Sequence, residues 1–462
     1  MNYLFLGLGL YLLVQLLIGF VITRHVLSST DYFVANRRLG YVLTVFGIFA
    51  TWFGAESVVA TTGEVYRKGL SGATADPFGY VIAFFLMGAL FARTLWQRNI
   101  VTLADLFRER FSPMIEKVAV LLMVPTSVAW AAAQLRAFGH VLSVTGNIEL
   151  DTAITIAGCV IMIYSSAGGM LADAVHDVIQ GTVLIIGLVS LLVMILGLPG
   201  EGTTLGRELS VASMTTPRSG RQSWLDTLEL LTLVICSSVV AQELVSRIVS
   251  SRSQAVAQRS FFIAGSLYGV IGLIPITIGI VAPKIIPGLP DPEQALSIIA
   301  KQYLPPIGYV LFSGALISAI LSTTDCTLLA GGSVLARNVF VLHESSFSGK
   351  QQLLLSRALV GGLGCLAYII ALHTESIFQL VKDGTAIGST GLLVAMLTAL
   401  HTRHIPNQYA ALGALLTGIS SWCILQYVLH YSYPYLLSLA LSASMYAIVY
   451  MIGHYQSQRK SL

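Results

Sequence analysis

The sequence predicts an all-α membrane protein with about thirteen transmembrane helices in a single domain over residues 1–462. Three observations predict it: the composition, the recurrence of apolar stretches about 20 residues long, and the bias of basic residues toward one set of loops. Of the 462 residues, 55% are hydrophobic and only 10% are charged, against about a quarter charged in an ordinary soluble domain. The mean hydropathy is +0.79. A soluble fold of this length could not hide so much apolar surface, so lipid must serve as solvent. The net charge of +4 does not imply nucleic acid, because the basic residues concentrate on one side of the membrane. All five cysteines fall inside apolar stretches, which excludes a disulfide framework.

The apolar stretches run approximately over 3–23, 41–66, 76–95, 116–146, 151–168, 174–198, 224–246, 256–282, 305–337, 352–372, 375–400, 406–430 and 433–453, numbered here stretch 1 to stretch 13. Stretch 1 has no basic residues before it and no small-residue cleavage site after it, so it reads as a retained helix and not a signal peptide. If the N-terminus is outside, seventeen of the 26 basic residues fall in one set of loops and seven in the other. The richer set is then cytoplasmic, with the N-terminus outside and the C-terminus inside a plasma or inner membrane. Arg136 and Lys382 are left over, each within an apolar stretch. The segment Thr102–Phe111 is amphipathic and is expected along the membrane surface or as a solvated loop helix.

Chemistry is expected where polar residues interrupt these stretches. In stretch 2, Thr51, Gly54, Glu56 and Ser57 break an apolar run. Gly and hydroxyl residues make local unwinding cheap, and the carbonyls that unwinding frees are tolerated at membrane depth where an ion or solute meets them. A kinked helix packed through Gly54 is the alternative. In stretch 9, Ala319, Ser322 and Thr323 share one face, and Ser322, Asp325 and Cys326 an adjacent one. Hydroxyls and a carboxylate suit a hard monovalent cation; the competing reading is a helix-packing hydroxyl cluster. At the start of stretch 6, Asp177 and Gln180 share a face, Asp173 reads as a solvated residue at the cytoplasmic boundary, and His176 as a packed histidine. Candidate solute contacts are Trp52, Glu56, Arg136, Gln242, Phe378 and Lys382. The two cations favour a carboxylate-bearing solute, such as an amino acid, betaine or organic acid. Arg136 pairing with Glu56, and Lys382 with Asp383, are the structural alternatives. Trp52 and the acidic residues leave a quaternary amine open.

The chain resembles the sodium:solute symporter family in the segments DYFVANRRLG (31–40), ATWFGAESVVATTGEVYRKGLSG (50–72), YSSAGGMLADAVHDVIQ (164–180), SRIVSSRSQAVAQR (246–259) and ALISAILSTTDCTLLAGGSVLARN (315–338). The resemblance implies a LeuT-type fold of two inverted five-helix repeats, helices 2–6 (41–198) and 7–11 (224–400), with an extra N-terminal helix (3–23) and C-terminal helices (406–453). It implies a secondary transporter, not an enzyme, which moves a small solute with Na+ across the bilayer by alternating access. It implies a sodium site made by the carbonyls of Ala50, Phe53 and Ala319 and the hydroxyls of Ser322 and Thr323. Some members have a second cation site, which maps to Asp177, Ser322, Asp325 and Cys326; a thiol is a poor sodium ligand there. Ala241 stands where choline carriers place a second Trp. Proton coupling through His176, Asp177 and Asp325 is the rival to sodium, although Ser322 and Thr323 argue for sodium. A sensor that kept the fold is a further alternative. An intramembrane aspartyl protease using Asp177 and Asp325 is excluded by the missing GxGD motif.

Overall fold

The computed structural model describes residues 3–23, 28–167, 169–197, 223–341, 348–374, 376–401 and 407–460. The loop 199–223, apart from Ser223, and the charges Arg24, Arg207, Arg218, Arg221 and Arg403 lie outside the described residues. Among those described, the structure is helical, with one isolated bridge between Leu39 and Ser251 and no strand.

Each predicted stretch coincides with a helix, and local chemistry marks the ends. Helix Pro113–Gly146 starts at Ser112, whose hydroxyl accepts from the Ile115 N–H, with Pro at the first helical position, and ends on Asn147 in the left-handed region. Ser253 caps Gln254–Ile285, and Ser348 forms a capping box with Gln351 at Gly349–Leu372. By length and composition, nine described segments can cross a membrane, or ten if the bent pair Trp224–Val239 and Gln242–Ser250 is one span. Thirteen spans are therefore more than this criterion reaches. Tyr41–Trp52 and Leu150–Ile163 fall short of it, and Glu56–Gln97 is interrupted by a tight turn over Gly69–Ala73.

Two helices are broken. The first unwinds after Trp52 and resumes at Glu56. The second bends by 41° between Val239 and Gln242. Helix Pro306–Leu335 lies at the centre, packed against Pro113–Gly146 and Met170–Leu196. Its apolar window is 78% buried, against 17% for Pro434–Tyr455, which places the latter at the periphery with its apolar residues turned outward. The amphipathic segment turns its apolar face to the rest of the protein. Helix Leu103–Arg110, started by a Thr102/Asp105 capping box, buries Leu103, Ala104, Leu106 and Phe107 against the protein. Arg337 clamps it through Asp105 at 2.7 Å.

Candidate functional site: an ion site and a solute pocket on two broken helices

The break in the first helix presents its backbone to helix Pro306–Leu335. The Thr323 hydroxyl lies 3.2 Å from the Ala50 carbonyl and 3.1 Å from that of Ala319. Three of the five predicted sodium ligands thus converge, and their donor types, carbonyl and hydroxyl oxygen, fit a hard monovalent ion. Phe53, the fourth, caps Tyr41–Trp52 at the break with ψ 59°. Ser322, the fifth, turns away: its hydroxyl donates to Asp177 Oδ1 at 2.5 Å. Gly54 is required by proximity, since a Cβ there would stand 2.4 Å from Thr323 Oγ1 and 2.9 Å from Gln134 Oε1. Gln134 also accepts the N–H of Ala55 at 2.9 Å, satisfying one backbone donor that the break exposes.

A pocket with about 470 Å3 of space opens beside the two breaks. Trp52, Tyr80 and Trp130 form one wall, and Met123, Thr126 and Ser127 continue it. The second broken helix supplies Ser237, Ser238 and Val240 to Glu243; helix Ile377–His401 supplies Thr385, Gly388, Ser389 and Leu392. Trp52 and Trp130 meet edge to face at 4.5 Å between ring centroids, and Tyr80 stands 6.1 Å from Trp52. Glu243, 3% exposed, accepts the Ser127 hydroxyl at 2.8 Å. The lining contains one carboxylate and no Lys or Arg.

Of the predicted solute contacts, Trp52 and Gln242 line this pocket. Gln242 accepts the N–H of Leu103 at 2.7 Å, which ties the pocket lining to helix Leu103–Arg110. Glu56 stands behind the wall, accepting the Tyr80 hydroxyl at 2.9 Å on both oxygens, so it orients Tyr80 and does not pair with Arg136. Arg136 instead donates to the Ala371 carbonyl at 3.4 Å. Phe378 stacks under Lys68, whose ammonium is 5.9 Å from the ring. Lys382 is half-buried and absent from the lining, and Asp383 accepts from Gln379 at 2.8 Å.

The predicted second cation site brings Asp177 and Ser322 together, with Asp325 and Cys326 buried on the same helix as Ser322. It also holds Arg247, one of the seventeen basic residues that the loop count assigns to the cytoplasmic set. Arg247 is 0% exposed, and its Nη2 lies 2.5 Å from Asp173 Oδ2 and 2.8 Å from Asp177 Oδ2. Asp173, at 1% exposure, is therefore a buried ion-pair partner and not a solvated boundary residue.

Sequence reasoning missed Tyr80, Trp130, Gln134, Glu243 and Arg247. A signal existed for some of them. Ser127, Trp130 and Gln134 recur at i, i+3 and i+7 along one face of an apolar helix, and Glu243 and Arg247 lie one turn apart.

The profile of the sodium:solute symporter family matches residues 32–418. The chain is 26% identical over 408 residues to the high-affinity choline transporter 1 of Drosophila melanogaster, a match covering 85% of this chain and 65% of that protein. It is 28% identical to the human high affinity choline transporter 1, covering 85% and 70%, and 25% identical to the sodium/pantothenate symporter of Haemophilus influenzae, covering 86% and 84%. The chain thus spans about two thirds of the length of the choline transporters. Among solved structures, a Na+-coupled sialic acid symporter in a substrate-bound outward-open state superposes with a TM-score of 0.82 at 17% identity, covering 98% of this chain and 96% of that one. A nucleobase-cation-symport-1 family transporter gives 0.61 at 14% identity, covering 91% and 93%. Fold and profile agree: this chain belongs to the sodium:solute symporter family.

Proposed function

We propose that the chain is a sodium-coupled symporter for a small organic cation, a quaternary or protonated amine, working by alternating access. The observation that carries this reading is the pocket wall of Trp52, Tyr80 and Trp130 facing Glu243, with no basic residue in the lining. Aromatic faces attract a cation through their quadrupole, most strongly when it is desolvated. A buried carboxylate adds a countercharge. Arg136 and Lys382, the grounds for expecting a carboxylate-bearing solute, lie outside this lining. Trp130 supplies from a neighbouring helix the second indole that Ala241 does not. Several relatives are high-affinity choline transporters, which supports the same solute class.

Sodium binds, in this reading, to the carbonyls of Ala50, Phe53 and Ala319 and the hydroxyl of Thr323, and the Ser322 hydroxyl joins them by rotating away from Asp177. The ion bridges two helices that part in the inward-facing state, so it favours the outward one. The solute then fills the pocket beside the same break. The shorter helices complete thirteen spans, arranged as two inverted repeats over 41–198 and 224–400, with the N-terminus outside and the C-terminus cytoplasmic. The test is uptake into proteoliposomes under an inward sodium gradient, with labelled choline, betaine, pantothenate and amino acids. Accumulation of choline or another amine only with sodium, lost in Trp130→Ala, is the expected result. Accumulation of pantothenate with no competition by choline refutes the cationic solute. Uptake that follows a proton gradient and ignores sodium refutes the coupling ion.

A further inference from the structure

We propose that the pocket selects an ammonium group that still carries N–H bonds over a quaternary one, because its lining offers hydrogen-bond acceptors and withholds donors. The inference rests on the cationic-solute reading above and narrows the class. Six hydroxyl side chains line the cavity: Thr126, Ser127, Ser237, Ser238, Thr385 and Ser389. A hydroxyl has one proton to give and two lone pairs to accept with. Carbonyl and carboxylate oxygens only accept, so a hydroxyl bonded to one of them has spent its proton there. Thr126 donates to the Leu122 carbonyl at 3.1 Å, and Ser237 and Ser238 to the Val234 carbonyl at 3.1 and 2.7 Å. Thr385 donates to the Val381 carbonyl at 2.8 Å, and Ser389 to that of Thr385 at 2.7 Å. Ser127 donates to Glu243 at 2.8 Å. All six are left with lone pairs alone.

The other polar groups of the lining agree. Tyr80 spends its proton on Glu56. The Gln242 amide donates to Ser246 Oγ at 3.1 Å and to the Val101 carbonyl at 3.5 Å. The indole N–H groups of Trp52 and Trp130 are sealed inside the wall. Helix Gln242–Ser250 begins at the cavity, and a helix N-terminus favours an anion, but Glu243 in its own first turn fills that role. Among the described residues, Ser127 is the one other side chain that donates to Glu243, so most of the carboxylate's acceptor capacity stays open. The ring faces attract either kind of cation and do not choose between them. The lone pairs do. An N–H ammonium can direct charge-assisted hydrogen bonds at Glu243 and at the hydroxyl oxygens. A quaternary ammonium presents methyl groups, and each acceptor it covers loses water without gaining a partner.

The test is isothermal titration of the purified full-length chain, at saturating sodium and neutral pH, with ethanolamine and its N-methyl, N,N-dimethyl and N,N,N-trimethyl (choline) derivatives. All four are cations on one skeleton, and they carry three, two, one and no N–H bonds. Affinity is expected to fall along the series, with about tenfold lost at the last step, where the only remaining N–H goes. Glu243→Gln keeps the shape without the charge and is expected to flatten the series. Choline binding as tightly as the dimethyl compound, or more tightly, overturns the inference and leaves the cationic-solute reading intact; this arm needs no variant. A folded Glu243→Gln that keeps the full slope also overturns it. If none of the four binds and pantothenate does, the cationic-solute reading falls and the inference with it.

Discussion

Replacing Gly54 by Ala adds one methyl group at the point where the broken helix meets the ion site. The new Cβ would fall 2.4 Å from Thr323 Oγ1, 3.0 Å from Thr323 Cβ and 2.9 Å from Gln134 Oε1. Ordinary carbon contacts begin near 3.5 Å, so Thr323 or the unwound backbone must move by about 1 Å. Overpacking of this kind costs about 1–3 kcal/mol. Thr323 Oγ1 touches the carbonyls of Ala50 and Ala319, so the displacement falls on the proposed sodium ligands. At about 1.4 kcal/mol per factor of ten, sodium affinity should drop about 5- to 150-fold. The assay is radiolabelled sodium binding, with thermal unfolding measured alongside to show that the variant folds. A double-mutant cycle gives the mechanism. If the cost runs through Thr323, then Gly54→Ala should be nearly silent in a Thr323→Ala background. Unchanged sodium affinity in the single variant, or losses that simply add, would refute the assignment of this contact to ion binding.

Trp130→Ala removes one face of the aromatic wall, worth about 0.5–2 kcal/mol to a bound cation, so half-saturation for choline uptake should rise about 2- to 30-fold; Trp130→Phe should retain most of the affinity. Lys382→Gln should leave uptake kinetics unchanged, because Lys382 does not line the pocket; a strong loss would return the carboxylate-bearing solute. Glu229 accepts the N–H groups of Tyr435 at 2.6 Å and Leu436 at 2.9 Å, capping helix Pro434–Lys460 from another helix. Glu229→Ala should therefore cost about 1–2 kcal/mol of stability, read as a lower unfolding temperature with unaltered sodium affinity.

The membrane class, the helix positions and the shared face of Ala319 and Thr323 were legible because they depend on short-range pattern: apolar length and hydroxyls at helical spacing; the meeting of Ala50 with that face, 273 residues away, came from the family resemblance. The solute pocket was less legible because it is assembled across distant segments. Trp130 and Glu243 are ordinary residues in their own helices, and only packing brings one near Trp52 and the other to Ser127. Arg247 misled for a different reason. It falls between two apolar stretches in the chain, and loop counting assigns charge by sequence position. The bend before Gln242 swings that half-helix inward, and Asp173 and Asp177 hold the guanidinium there. The same packing turns Asp173 from a boundary residue into a buried one. Arg136 and Lys382 misled in the opposite sense, being cations inside apolar stretches that settle on a backbone carbonyl and a half-exposed site respectively.

The proposed ion site and the pocket share one turn of backbone, and this bears directly on coupling. Ala50 turns its carbonyl to Thr323, while Trp52, two residues on, turns its ring into the pocket wall. Any shift that tightens the carbonyls around sodium moves the Trp52 ring relative to Trp130, so neither ligand can bind without biasing the position of the other. Linkage requires that bias to be reciprocal: if sodium raises affinity for the solute by some factor, the solute raises affinity for sodium by the same factor. For symport the factor should be about 5- to 150-fold, the usual range of coupling free energies. Equilibrium binding checks it, with labelled choline titrated at low and saturating sodium and labelled sodium titrated with and without choline. Equal, large factors are expected in the wild type, and Trp52→Ala should shrink both together. A sodium effect on choline with no return effect of choline on sodium breaks the thermodynamic cycle and would mean that one of the ligands binds elsewhere.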